Sequence, residues 1–411
     1  MTMHNLRAIS GMKFISHRII RPIFALVLLA TLGAVGAPVF DVGAMDRGRI
    51  VREGQAALAV EPITITQFRA KFSEGGPNDF YSNGDYWWPD PTKTNGLPYI
   101  RRDGESNPGN FMAHRRCVMQ FRDTVAALGA AYKITGDDRY AAKAAALLRV
   151  FFLDPGTRIN PNLQYAQAVP GVSSGRGTGI IDTLHLIEVP RAIEAMQPSP
   201  ALPAEELAGL KQWFRDYTTW MLTSKNGRDE AAAANNHAVA FWLQVAVFAQ
   251  FTGDEAQMAE CRRRFKEVFV PKQMGADGGF PAELARTKPY GYSIFQLDNM
   301  VTLCQTLSTP ADDLWHFTLP DGRGIGRAVA FMYPYLADKS TWPRKPDVQA
   351  WDGWPSRQSS LLFAGLALGE EKYLQLWQKL PADPTSEEVR RNIAITQPVL
   401  WVGEPSVTKQ P

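Results

Sequence analysis

Residues 127–152 read ALGAAYKITGDDRYAAKAAALLRVFF. An apolar, alanine-rich stretch runs up to Thr135, Gly136 interrupts it, Asp137 and Asp138 follow, and a second apolar stretch begins. Glycine just past a helix adopts the left-handed conformation that ends it. An acidic side chain beyond it accepts from the free N–H groups of the next helix and complements that helix's dipole. The stretch therefore predicts a helical hairpin. The plan recurs from Gln244 to Phe269, turning on Thr252-Gly253-Asp254, and from Leu361 to Leu380, turning on Leu368-Gly369-Glu370-Glu371. Hairpins repeated along a chain bury their apolar faces on one another and build a solenoid or a ring. The expected fold class is all-α: an (α/α)n toroid or incomplete barrel of helical hairpins with long N-terminal loops.

Apolar residues at helical spacing predict further helices at about 178–196, 203–224, 292–308, 325–337 and 356–367. Strand-like alternation is scarce. Between Pro62 and Asn110 the chain is dense in Gly, Pro, Asn and aromatics, as in Asn83-Gly84-Asp85-Tyr86-Trp87-Trp88-Pro89. Long ordered loops of this kind commonly carry function.

Outward from the helices, the N-terminus carries Lys13, His17, Arg18 and Arg21, then the uncharged run Ile23 to Val35, then small residues at Gly36-Ala37 and Val42-Gly43-Ala44. This is the pattern of a secretory signal peptide cut near 37 or 44, and the apolar run is short for a membrane span. The expected organisation is a leader over 1–44, a single toroid domain over 45–398 and a peripheral tail over 399–411. The expected location is periplasmic or secreted, with no stable membrane insertion after cleavage. The 411 residues carry a net charge of +3 and no basic stripe, which argues against a nucleic-acid partner. Cys117, Cys261 and Cys304 are odd in number, lack metal-ligand spacing, and read as buried free thiols. No metal site is expected.

Asn235-Asn236-His237 heads the apolar run from Ala238 to Phe248, and a second polar cluster, Glu283 to Tyr292, contains Arg286, Tyr290 and Tyr292. Asn before an apolar run also fits a plain helix cap. Taken together, amide, imidazole, guanidinium and phenol suit the task of holding a carboxylate while moving a proton beside it. Removing the C5 proton of a 4-linked uronic acid builds charge on the neighbouring carboxylate. Hydrogen-bond donors and a fixed cation stabilise that charge, each donor by about 2.7–4 kcal/mol. A tyrosine serves as acid when neutral and as base when ionised.

Asn235-Asn236-His237, then Arg286, then Tyr292 six residues later, resembles the alginate lyase superfamily of polysaccharide lyases. Three further segments are similar to it: Asp85 to Pro89 with Tyr99 to Gly104, Asn160 to Gln167, and Gly175 to Asp182. The resemblance spans roughly residues 75–375. It implies an (α/α) toroid, β-elimination and no obligatory cofactor. It also implies that Asn236 and His237 neutralise the uronate carboxylate with help from Arg286. Tyr292 would be the general acid, with Tyr292 or His237 as base according to the sugar's stereochemistry. The spacing of Arg286 and Tyr292 resembles the branch that includes glucuronan lyases. Tyr86, Trp87, Trp88, Arg101, Arg102, Gln164 and Tyr290 are the expected substrate-binding residues, and the expected partner is an anionic polysaccharide or oligosaccharide.

Two other readings compete. A glycoside hydrolase on the same ring needs two carboxylates at a defined separation, with Asp85, Asp103, Glu283 and Asp298 as candidates. A non-catalytic oligouronate-binding protein would use the same aromatics and arginines.

Overall fold

The computed structural model describes residues 40–403. Most of the predicted helices form, and others that were not predicted join them. They are α1 (Val42–Leu58), α2 (Ala113–Thr135), α3 (Asp138–Leu148), α4 (Glu188–Met196), α5 (Ala204–Thr223), α6 (Lys225–Ala231), α7 (Asn236–Thr252) and α8 (Glu255–Arg264). There follow α9 (Val270–Gln273), α10 (Pro281–Leu284), α11 (Pro289–Leu307), α12 (Ile325–Ala337), α13 (Ser359–Leu368), α14 (Glu371–Lys379) and α15 (Glu387–Arg391).

The three hairpin turns form as read. Gly136, Gly253 and Gly369 all take positive φ, at 68°, 78° and 69°. Asp137 and Asp254 then cap α3 and α8 by accepting from Arg139 N and Gln257 N. The first two repeats share a further detail, because α3 and α8 each run into one π-helical turn, Arg149–Leu153 and Phe265–Phe269.

Inner helices pack on one another in chain order. α2 packs against α4, α7 against α11, and α11 against α13, with α3, α8 and α14 as their outer hairpin partners. α7 is apolar on almost all sides because it is walled in by α5, α8 and α11. α2 and α4 approach closely at Gly129, where a Cβ would stand 2.6 Å from that of Ala192. The three cysteines are free and buried in this core, as expected.

Four short strands organise the N-terminal loops: β1 (Tyr81–Asn83), β2 (Trp87–Trp88), β3 (Ile100–Arg101) and β4 (Tyr165–Ala168). β1 pairs parallel with β4, and β2 antiparallel with β3, which sets Trp87 opposite Arg101 and Trp88 opposite Ile100.

Two sequence expectations need correction. The helix expected at 178–196 is a 3-10 stretch, Gly177–Ile187, followed by α4. The tight coil is held where Gly177 meets the Asn226 carbonyl and Gly179 meets Ala166, positions at which a Cβ would clash. The tail expected to be peripheral is not so over 399–402. Val399, Leu400 and Trp401 are buried, Lys133 donates to the carbonyls of Val399 and Val402, and Gln305 donates to that of Trp401. These bonds tie the C-terminal segment to both α2 and α11. The expected leader lies mostly outside the described residues. Its end does not: Asp41 caps α1 and Val42 is packed, so a cut after Ala44 would remove a cap and a core residue.

Candidate active site

The first turns of α7 and α11 open onto one cavity of about 670 Å³. Asn235 caps α7 by accepting from His237 N at 3.3 Å, so the bland cap reading and the functional one are both true of neighbouring residues. Asn236 is buried, and Glu283 from α10 takes both its backbone N–H at 2.8 Å and its side-chain amide at 2.6 Å. Burial pushes the Glu283 carboxyl up, although both Asn236 bonds pull it down. His237 Nδ1 lies 2.6 Å from Glu230 Oε1, which leaves Nε2 without a protein partner among the described residues. Burial works against a charged His237, but the Glu230 carboxylate outweighs it through charge and hydrogen bond, and the pKa is raised.

Across the cavity, Arg286 gives Nε and Nη2 to Asp103, at 3.1 and 2.8 Å, and its Nη1 has no hydrogen-bond partner among the described residues. Its guanidinium lies 4.4 Å from the centre of the Tyr292 ring. Asp103 is held down to about 2: burial alone would raise it, and the Arg286 bonds and charge more than reverse that. Tyr292 shares a 2.5 Å hydrogen bond with Tyr86 from the N-terminal loop. Burial pushes the Tyr292 phenol up, against the pull of Arg286 and Tyr86, so it holds its proton at neutral pH.

The structure therefore brings Asn236, His237, Arg286, Tyr292, Tyr86, Trp87 and Arg101 to one cavity. Four expected substrate contacts fall elsewhere. Tyr290 is buried, donates to the Tyr335 carbonyl at 2.8 Å and meets Trp342 and Trp351 edge to face. Tyr290 and Tyr292 are two residues apart, about 200° around a helix, so only one can face the cavity. The same logic separates neighbouring strand residues. Trp87 and Arg101 line the cavity, whereas Trp88 stacks beneath Arg102 at 4.8 Å and donates to the Glu105 carbonyl. Gln164 is exposed, and the glutamine that lines the cavity is Gln167. Gln167 sits at a strained φ of 48°, donates to Asp182 and accepts from Arg176.

Glu230, Arg115 and Arg391 also line the cavity and sequence reasoning missed them; Gln167, Arg176 and Asp182 line it too, and lie in the two segments, 160–167 and 175–182, that carry the resemblance without having been singled out as site residues. Glu230 lies one short helix before the Asn-Asn-His signal, so a search for a carboxylate near that histidine would have found it. Arg391 comes from α15, more than 150 residues from His237, and no local pattern marks it.

A helical ring whose cleft gathers amide, imidazole, guanidinium and phenol groups fits the lyase class, and the comparisons give the family. The alginate lyase family model matches residues 65–342. An alginate lyase from Bacteroides ovatus is 32% identical, covers 88% of this chain and 94% of its own, and superposes with a TM-score of 0.75. A histidine-to-alanine variant of alginate lyase A1-III, complexed with a tetrasaccharide, is 15% identical over 79% of this chain and 88% of its own. Its TM-score of 0.52 is a likeness of fold alone. No curated protein matches. The chain belongs to the alginate lyase family; it is a polysaccharide lyase with the (α/α) toroid fold.

Proposed function

We propose that this enzyme cleaves a 4-linked polyuronate of the alginate or glucuronan type by β-elimination, leaving a 4,5-unsaturated uronate at the new end. The observation that carries the reading is the meeting of Asn236 and His237 with Arg286 and Tyr292 in one cavity. The uronate carboxylate takes hydrogen bonds from Asn236, from Nη1 of Arg286 and from charged His237. These donors are fixed before the substrate arrives, by Glu283, Asp103 and Glu230, so little reorganisation opposes the transition state.

Neutral Tyr292 gives its proton to O4 as the C4–O4 bond breaks. On a sugar whose C5 proton and O4 lie on one face, ionised Tyr292 first takes the C5 proton and then returns it. On the opposite stereochemistry, neutral His237 takes the C5 proton at Nε2 while Tyr292 donates. Arg176 supports a polymer that is acidic at successive sugars. It lines the cavity, stacks on Trp87 at 5.5 Å, and has no carboxylate partner among the described residues.

The hydrolase reading loses its carboxylates to other duties. Asp85 pairs with Arg115, Asp103 with Arg286, and Glu283 with Asn236. Asp298 accepts from Ser360 N and does not line the cavity. The test is to incubate the purified enzyme with polymannuronate, polyguluronate and glucuronan and follow the ultraviolet absorbance of unsaturated uronate. No rise on any of them sinks the reading.

We also place the mature enzyme in the periplasm or outside the cell, with the leader cut near Ala37 so that the Asp41 cap survives. N-terminal sequencing of the exported protein checks both points; a mature chain beginning at Met45, or one that keeps the leader, contradicts them.

A further inference from the structure

α15 lies beyond the span matched by the family model, yet it reaches the proton-transferring phenol. Arg391 Nη2 donates to Tyr86 Oη at 3.1 Å, and Tyr86 Oη lies 2.5 Å from Tyr292 Oη. With Arg391 donating to the Tyr86 oxygen, the Tyr86 hydrogen is left to point at Tyr292. Chains of this kind polarise along their length, each bond strengthening the next. An oxygen–oxygen separation of 2.5–2.7 Å is about the length such a bond takes once one oxygen is charged, so the pair already has the spacing that a charged Tyr292 oxygen would need.

We infer that Arg391 is a positioning residue, acting through Tyr86, that stabilises negative charge on the Tyr292 oxygen. That charge exists when Tyr292 acts as base, and again after Tyr292 has donated to the leaving oxygen, so the role holds for either stereochemistry. Atoms balance in both cases, with the Tyr86 hydrogen staying on Tyr86. Where Tyr292 is both base and acid, the C5 proton passes to its oxygen and on to O4; where His237 is the base, the C5 proton ends on His237 and Tyr292 gives its own proton to O4.

The other charges around the pair do not duplicate this bond. Arg286 sits over the face of the Tyr292 ring, and Lys288 lies 5.3 Å from the centre of the Tyr86 ring. Neither donates to a phenol oxygen. On the anionic side, Asp103 is bound to Arg286, Glu388 bridges Lys288 and Arg391, and Asp85 pairs with both Arg391 and Arg115. Arg391 is thereby held between Asp85 and Glu388 with one nitrogen aimed at Tyr86.

The turnover arm of the test rests on the proposed polyuronate cleavage; the titration arm does not. Difluorotyrosine placed at position 292 brings that phenol's ionisation into an accessible pH range, and fluorine NMR follows it in the substrate-free enzyme. Arg391→Met should move the titration to higher pH. In a Tyr86→Phe background the same change should add no further shift. Turnover of Arg391→Met should fall about ten-fold with KM little changed, the order expected for losing support of one charged oxygen. Arg391→Lys should recover part of both. An unmoved titration overturns the inference, and so does a shift that persists undiminished in Tyr86→Phe. If the titration behaves as expected and no polyuronate is cleaved, the polyuronate reading fails and the Arg391 linkage stands.

Discussion

The heads of α7 and α11 and the short α15 serve the same cavity, yet they differ in how they are built. Asn236, His237, Arg286 and Tyr292 sit at or beside helix N-termini, each within a few residues of an apolar run that becomes a core helix. The core therefore fixes them directly. α15 has one buried residue, Val389, and is held mainly by ion pairs: Arg116 to Glu387, Lys288 to Glu388, Arg390 to Asp123 and Arg391 to Asp85. The groups proposed to meet substrate stand on core helices, and the group proposed to tune one of them hangs on a charged strap. Exposed pairs such as Arg116–Glu387 contribute little, so the strap depends on its less exposed members.

The largest effect should come from the helix heads. Tyr292→Phe removes the transferable proton and should lower kcat about a thousand-fold or more, with the melting temperature nearly unchanged. Steady-state rates on the best polyuronate check this; a loss under ten-fold would mean that the phenol is not the acid.

Glu230→Gln comes next. Burial disfavours charged His237 and Glu230 outweighs it, so the histidine's pKa is raised in the fold. A raised pKa means that the charged form, and the stability from its pairing, is fully present at low pH and fades as pH rises through the folded value. Without the carboxylate, the His237 titration should move down. KM for the anionic polymer should then begin to climb at a lower pH than in wild type, and kcat should fall about ten- to a hundred-fold. Parallel KM–pH profiles for the two proteins would show that Glu230 only packs.

Arg391→Met ranks below both, as befits a residue acting through a neighbour. Tyr290→Phe should be the smallest. It loses one buried hydrogen bond, to the Tyr335 carbonyl, and about 1 kcal/mol of stability, with turnover intact. Denaturant unfolding beside an activity assay reads both; a collapse of turnover would break the separation of Tyr290 from Tyr292 onto opposite faces of α11.

The difference between the two regions also explains what was legible beforehand. Hairpin turns at Gly136, Gly253 and Gly369 are local, because a left-handed glycine with an acidic residue just after it, capping the next helix at Asp137 and Asp254, needs only a few residues to declare itself. The Asn-Asn-His head and the Arg286–Tyr292 spacing are equally local. Face is less legible than position. Tyr290 and Trp88 have the right chemistry and point the wrong way, and that depends on where α11 begins and how β2 pairs with β3. Gln164 was preferred to Gln167 because nothing in the sequence marks the strained backbone that turns Gln167 inward. Arg391 and the buried 399–402 segment were invisible for a different reason. Their partners, Tyr86, Asp85, Lys133 and Gln305, are far away in the chain, and only closure of the ring brings them together.

Elimination and hydrolysis at this cavity differ by one molecule of water in the product, so mass spectrometry of the first fragments from a defined polyuronate oligosaccharide tests the central claim most directly. β-Elimination should yield a fragment bearing the new end that is one water lighter than a saturated oligosaccharide of the same length, in equal amount to the new reducing ends, and Tyr292→Phe should abolish it. Saturated fragments alone, or the light fragment formed undiminished by Tyr292→Phe, would contradict it.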